Sequence, residues 1–144
     1  MQKEWFAEWF NTEYYHILYQ DRNEEEANRF ISNLISFLNI PKNSKLLDLA
    51  CGKGRHSKIL NSFSLDVLGV DLSENSILKA RKETTATLRF DTHDMRKVIP
   101  NFKFDAVFNL FTSFGYFDSH EENQKVCSSV SDMLNSKGKF IIDF

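Results

Sequence analysis

The stretch Leu46-Leu47-Asp48-Leu49-Ala50-Cys51-Gly52-Lys53-Gly54 narrows the choice of folds more than any other part of the chain. A short apolar run, Leu46–Cys51, fits a strand buried on both faces, and the glycines that end it open a helix over Arg55–Asn61. Glycine lets backbone approach a ligand closely, and a helix N-terminus presents N–H groups that have no partner inside the helix. Such a turn can cradle a nucleotide-like cofactor, or simply join a strand to a helix. Gly69-Val70-Asp71 favours the ligand, because an acid closes the next apolar run 19 residues after Gly52. Dinucleotide folds use an acid at about this separation to accept hydrogen bonds from ribose hydroxyls. Ser73 is better placed than Asp71 to cap the helix that follows.

The same alternation continues along the chain. Residues 23–40 read as a leading helix. Asn23 is its cap, Glu24, Glu25 and Glu26 fill its first turn, and Ala27, Phe30, Ile31, Leu34, Ile35 and Leu38 recur at helical spacing before Pro41. Leu65–Val70, Thr87–Asp91 and Phe104–Leu110 read as strands, and Glu74–Lys82 and Glu121–Leu134 as helices. The turn Asn135–Gly138 precedes a fifth strand, Lys139–Phe144. Strand–helix alternation predicts right-handed crossovers and an α/β fold: a Rossmann-like parallel sheet of about five strands between helices, a three-layer αβα sandwich. Ligands bind such sheets outside the carboxyl ends of the strands, at the switch point. The sheet occupies 45–144 and is expected to be truncated at its fifth strand. An uncovered apolar edge there calls for the rest of the domain or for a homodimer partner.

With 144 residues the chain fits one domain, large enough to fold without metal or disulfide. A net charge of −2 provides no field for a phosphate backbone and argues against nucleic acid. Cys51 and Cys127 lack metal-ligand spacing and read as reduced thiols of a cytoplasmic protein. No apolar stretch is long enough to cross a membrane. Residues 1–22 are dense in aromatics (Trp5, Phe6, Trp9, Phe10, Tyr14, Tyr15, Tyr19), with Trp5, Phe6, Trp9 and Phe10 on one helical face.

A nicotinamide dinucleotide site is the obvious competitor. Its fingerprint wants a third small residue three positions after Gly54, which here is Ser57, and it has no use for an acid inside the first strand. Asp48 stands among leucines, where a bare carboxylate is costly. Near a cofactor it suits a ligand carrying an ammonium and a sulfonium.

In these motifs the sequence resembles the class I S-adenosylmethionine-dependent methyltransferases, over about Asn33 to the C-terminus. Leu46–His56 resembles their glycine-loop motif, Gly69–Ile77 the acidic loop, His93–Lys97 the segment flanking adenine, Phe104–Phe117 the fourth-strand motif and Leu134–Phe144 the fifth strand. The resemblance implies that Asp48, Ala50, Cys51, Gly52 and Gly54 surround the methionine part of the cofactor. It implies that Asp71 holds the ribose hydroxyls, with Leu72 on the adenine face and Ser73 beside them. Asp94 would take the adenine amino group and the Met95 N–H a ring nitrogen. Asn109 and Leu110 would contact the methionine end by backbone, and residues 1–22 would form a lid with Tyr14 or Tyr15 at that end. Ala50 stands where many members have glycine, and the last two strands of the complete seven-stranded sheet are absent.

The implied activity is methyl transfer from S-adenosyl-L-methionine to a small-molecule acceptor, leaving S-adenosyl-L-homocysteine. Alignment of donor and acceptor is most of that chemistry, so no triad is expected. His16, His56, His93 and His120 are the candidate bases, each more often structural than catalytic. Cys51 reads as packing rather than as a nucleophile. Phe102, Phe104 and Phe108 read as core, and Phe111–Phe117 as either acceptor wall or sheet cover. The alternatives are a nicotinamide-dependent oxidoreductase and a non-catalytic cofactor-binding fragment.

Overall fold

A computed structural model describes residues 24–110 and 119–142. Helix α1 (Glu24–Leu38) leads into β1 (Lys45–Leu49), α2 (Arg55–Ser62), β2 (Asp66–Asp71) and α3 (Glu74–Ala80), which ends in a 3₁₀ turn over Arg81–Glu83. Then come β3 (Leu88–Thr92), β4 (Phe104–Asn109), α4 (His120–Met133) and β5 (Leu134–Ile142). The strands form one all-parallel sheet in the order β3-β2-β1-β4-β5, so the chain reverses its direction of travel between β1 and β4.

Strands β1, β2 and β4 are buried on both faces, which is why they read as continuous apolar runs. On one face Leu46, Val67, Leu88, Phe90, Ala106 and Phe108 meet Ala27 and Ile31 of α1, Ile59 and Leu60 of α2, and Ile77 and Ala80 of α3. On the other face Leu47, Leu49, Leu68, Val70 and Val107 pack on Val126, Val130 and Met133, which share one stripe of α4. Strand β3 buries only Leu88 and Phe90 and leaves Arg89 and Asp91 exposed, which explains its weak apolar signal. No helix among the described residues is long and apolar enough to cross a membrane.

The cap of α3 is the one expected from the sequence, whereas the start of the fifth strand is not. Ser73 caps α3, its Oγ accepting from the Ser76 N–H at 3.2 Å, and Ser119 caps α4 in the same way from Glu122. The fifth strand begins at Leu134 rather than Lys139. Phe104 pairs with Leu134 and Ala106 with Lys139, so Asp105 alone faces the whole of Asn135–Gly138. The expected turn is thus a bulge inside β5, with Lys137 at φ 66° and the Asn135 amide donating to Asp105 at 3.0 Å. Phe104 and Phe108 are core, but Phe102 is 39% exposed and stacks on Phe104 with ring centroids 6.1 Å apart. Asn23 lies outside the described residues.

The glycine loop is fixed to the sheet by shape. Gly54 has φ 86°, and a Cβ there would lie 2.6 Å from the Phe90 ring on β3. A Cβ at Gly69 on β2 would meet the same ring at 2.8 Å and the Ser57 hydroxyl at 2.8 Å. Gly54→Ala combines left-handed strain with overpacking and should cost about 2–4 kcal/mol, read from the midpoint of urea unfolding.

Candidate functional site

All five strands point their carboxyl ends the same way, and most of the sequence-selected residues that are described lie there, around the reversal between β1 and β4. Asp71 ends β2. Its Oδ2 accepts from the Gly52 N–H and its Oδ1 from the Ser73 N–H, both at 2.8 Å. Its carbonyl takes the His93 N–H at 3.0 Å, and the Cys51 N–H continues the ladder to Val70 at 2.9 Å. One residue therefore joins the glycine loop, the start of α3 and the end of β3. Burial pushes the Asp71 carboxyl above the ordinary carboxylate range, against the opposing pull of the Ser73, Gly52 and Leu72 N–H groups.

Asp48 is 2% exposed, and it has the partner that such burial demands. Ser57 Oγ donates to its Oδ2 at 2.5 Å. Ser57 reaches it because Gly69, opposite Asp48 in the β1–β2 register, has no side chain in the way. Burial lifts the Asp48 carboxyl to about 7. The Ser57 hydrogen bond works against that rise, and repulsion from Asp71 adds to it. The Cys51 thiol is pushed well up by burial, then by Asp48 and Asp71, and packs against the core. A thiol raised by burial in this way is a poor nucleophile, which suits a packing role.

The loop glycines do different work. Gly52, at φ 58°, has nothing among the described residues within 4 Å of the place a Cβ would occupy, so with respect to them the loop is open there. Gly54 faces Phe90, and its N–H is engaged by the Cys51 carbonyl at 3.0 Å, so its glycine serves packing. Ala50 adopts φ 56°, a left-handed conformation that disfavours a side chain.

Beyond the loop, Leu72 is 38% exposed beside Asp71 and offers an apolar surface. Asn109 is fully buried at the end of β4, and its amide donates to the Leu49 carbonyl at 3.2 Å, tying the two strand ends together. The Leu110 side chain lies in the core. Asp94 and Met95 begin the β3–β4 loop, where the Asp94 carboxylate is gripped by Arg96, with Nη2 at 2.6 Å from Oδ2. Burial pushes Asp94 up, but the Arg96 hydrogen bonds and charge outweigh it and hold the group below the usual range. His56 is buried edge-on to Phe30, and the His93 ring contacts the Lys97 carbonyl at 2.7 Å. Tyr14, Tyr15, the rest of 1–22, and Phe111–Phe117 lie outside the described residues.

Two residues escaped sequence reasoning. Ser57 stood out only as a poor third glycine, although a small hydroxyl residue one turn into a helix that crosses a strand carboxylate is a recognisable donor. Arg96 carried no signal beyond its spacing of two from Asp94.

A family model described as "Methyltransferase domain" matches residues 40–143. The dTDP-3-amino-3,4,6-trideoxy-alpha-D-glucopyranose N,N-dimethyltransferase of Streptomyces venezuelae is 36% identical over 104 residues, 72% of this chain and 43% of that protein. The crystal structure of Streptomyces venezuelae DesVI superposes with TM-score 0.74 at 29% identity, over 89% of this chain and 54% of that one. The sugar N-methyltransferase KedS8 from Streptoalloteichus sp ATCC 53650 does so with TM-score 0.74 at 27% identity, over 90% and 52%. The chain thus spans about half the length of these proteins.

Folding lifts Asp48 from the ordinary carboxylate range to about 7, so between about pH 4 and 7 the folded chain keeps a proton that the unfolded chain releases. Stability is therefore greatest below that window and falls as pH rises through it, by up to about 4 kcal/mol from this group. Urea titrations at the two ends of the window should show a smaller fall for Asp48→Asn, with Asp71 leaving a residual slope. Ala50→Gly relieves the left-handed alanine and should raise stability by about 0.5–1 kcal/mol, measured the same way at pH 7.

Proposed function

The chain belongs to the methyltransferase-domain family, and from that premise we propose that it binds S-adenosyl-L-methionine at the carboxyl ends of β1, β2 and β4 and methylates an amino group of a small-molecule acceptor. The observation that carries this reading is the pairing of two buried, mutually repelling carboxylates, Asp48 and Asp71, with the open space at Gly52. Such a site favours a ligand that is cationic and rich in hydroxyls. It disfavours the pyrophosphate that a nicotinamide dinucleotide would bring to the same loop, because like charges in a low-dielectric site repel strongly.

The residues present fit the cofactor. Asp71, held rigid by two backbone N–H groups, keeps lone pairs for ribose hydroxyls. Leu72 supplies an exposed apolar face for the adenine, and Asp48 sits where it balances positive charge at the methionine end. Bound S-adenosyl-L-methionine would supply a methyl group already activated on a sulfonium. The chain's part is then to orient, to exclude water and to leave an approach open at the end of β4. A neutral amine needs no base to attack, which agrees with His56 being committed to packing and His93 to the Lys97 carbonyl. The amine acceptor is supported by the names of the relatives, which act on sugar nitrogens. Both described cysteines are free thiols, which suits a cytoplasmic location.

Isothermal titration with S-adenosyl-L-homocysteine, with NADH as the control, tests this. Micromolar binding of the first alone is expected. Gly52→Val should abolish it, and Asp71→Ala should weaken it by about 1–3 kcal/mol, since the variant strands hydrogen-bonding groups. Binding of NADH alone by the unsubstituted chain would refute the assignment.

A further inference from the structure

We propose that the exposed aromatic flank of α1, formed by Phe30 and Phe37, is the docking surface for the chain's own N-terminal aromatic segment, residues 1–22, seated through Trp5, Phe6, Trp9 and Phe10. This docking is independent of what the donor site binds.

Helix α1 carries more apolar surface than the sheet uses. Ala27 and Ile31 are buried against the sheet, and Leu34, Ile35 and Leu38 pack on the same core. Phe30 and Phe37 do not join that stripe. At about 100° per residue they stand within about 20° of each other, and about a quarter turn round the helix from the buried residues. Phe30 is 39% exposed, and Phe37, at 83%, is the most exposed large apolar residue of those described. No other helix among the described residues exposes two. One exposed apolar side chain is ordinary, but two large rings two turns apart on one flank form a strip suited to a partner. Glu26 and Asn33, both exposed, border it on the side away from the sheet.

The complementary surface stands in the sequence immediately before α1. Residues 1–22, outside the described residues, place Trp5, Phe6, Trp9 and Phe10 on one helical face, a second aromatic strip in need of cover. Reach is ample. Phe37 lies about 20 Å along α1 from Glu24, and the residues from Asn11 to Asn23 can span about 40 Å when extended. The tether also sets the competition. It holds the segment at an effective concentration on the order of millimolar, which a second copy of the chain in dilute solution does not match. Phe30 fixes where the anchor lies. Its ring stands edge-on to His56 with centroids 6.3 Å apart, and His56 is the second residue of α2. A segment seated on this flank therefore lies against the start of α2, beside the glycine loop.

Trp5 and Trp9 are the only tryptophans of the chain, so tryptophan emission reports on this segment alone. In the folded chain the emission should be blue-shifted from that of the same chain in urea, and less quenched by acrylamide. Phe37→Glu, at a site already open to water, should move both readings most of the way to the unfolded values while circular dichroism still reports the folded sheet. If that variant loses the folded dichroism, Phe37→Ser takes its place with the same expectation. Phe37→Leu keeps the strip apolar and should leave the emission near its original position. Leu78→Glu, at a 61% exposed position on α3, should move neither reading. Solvent-like emission in the folded, unsubstituted chain would overturn the proposal. So would emission that the polar Phe37 variants leave in place, or that Leu78→Glu moves equally. Sedimentation separates the other occupant: a mass of two chains that Phe37→Glu halves, with the emission unmoved, would assign the strip to a second copy instead.

Discussion

The hydrogen bond from the Gly52 N–H to the Asp71 carboxylate holds the rest of the site together. It crosses from the loop after β1 to the end of β2, and the second oxygen of the same carboxylate holds Ser73, the residue that caps α3. A loop with left-handed residues at Ala50, Gly52 and Gly54 has little regular structure of its own. It keeps its shape because Asp71 and the Cys51–Val70 ladder bond fasten it on one side and the Phe90 ring limits it on the other. A buried carboxylate needs those N–H groups as much as they need it, since neither is served by water there.

The order of elements was legible in the sequence because each strand is a short run with one ending signal, and each helix has a stripe that its sheet face demands. Ser73 as cap and Asp71 as something other than a cap followed from spacing alone. The bulge in β5 was not legible: Asn135–Gly138 has the composition of a turn, and only pairing with β4 shows that the strand has already begun at Leu134. The partners of the acids were hidden for a similar reason. Asp48 plainly needed one, but its identity depends on Gly69 making room for Ser57, a fact of three-dimensional register. Arg96 was hidden because arginine near an acid is ordinary on a surface, and only the nearness of α4 withdraws this pair from water.

The two sides of the site are electrostatically unlike. Around the glycine loop, burial lifts both Asp48 and Asp71, repulsion from Asp71 lifts Asp48 further, and no cation among the described residues pairs with either. On the β3–β4 loop, Asp94 has its cation already, in Arg96, and is held low. Acids that resemble one another in the sequence thus divide into a pair that a positively charged ligand would complete and one that the protein completes itself.

The contact of Phe90 with both Gly54 and Gly69 has a consequence for how such motifs travel. Residues 54, 69 and 90 come from a loop and two different strands, yet they fill one shared volume. The pair of loop glycines is therefore not a portable cassette. Transplanted without a flat ring at the β3 position, the same letters would leave a void beneath the loop. With a bulkier or branched residue there they would be pushed out of the sheet. The unit that can be exchanged between scaffolds is the trio, and a designer who copies the motif must copy the edge strand that shapes it.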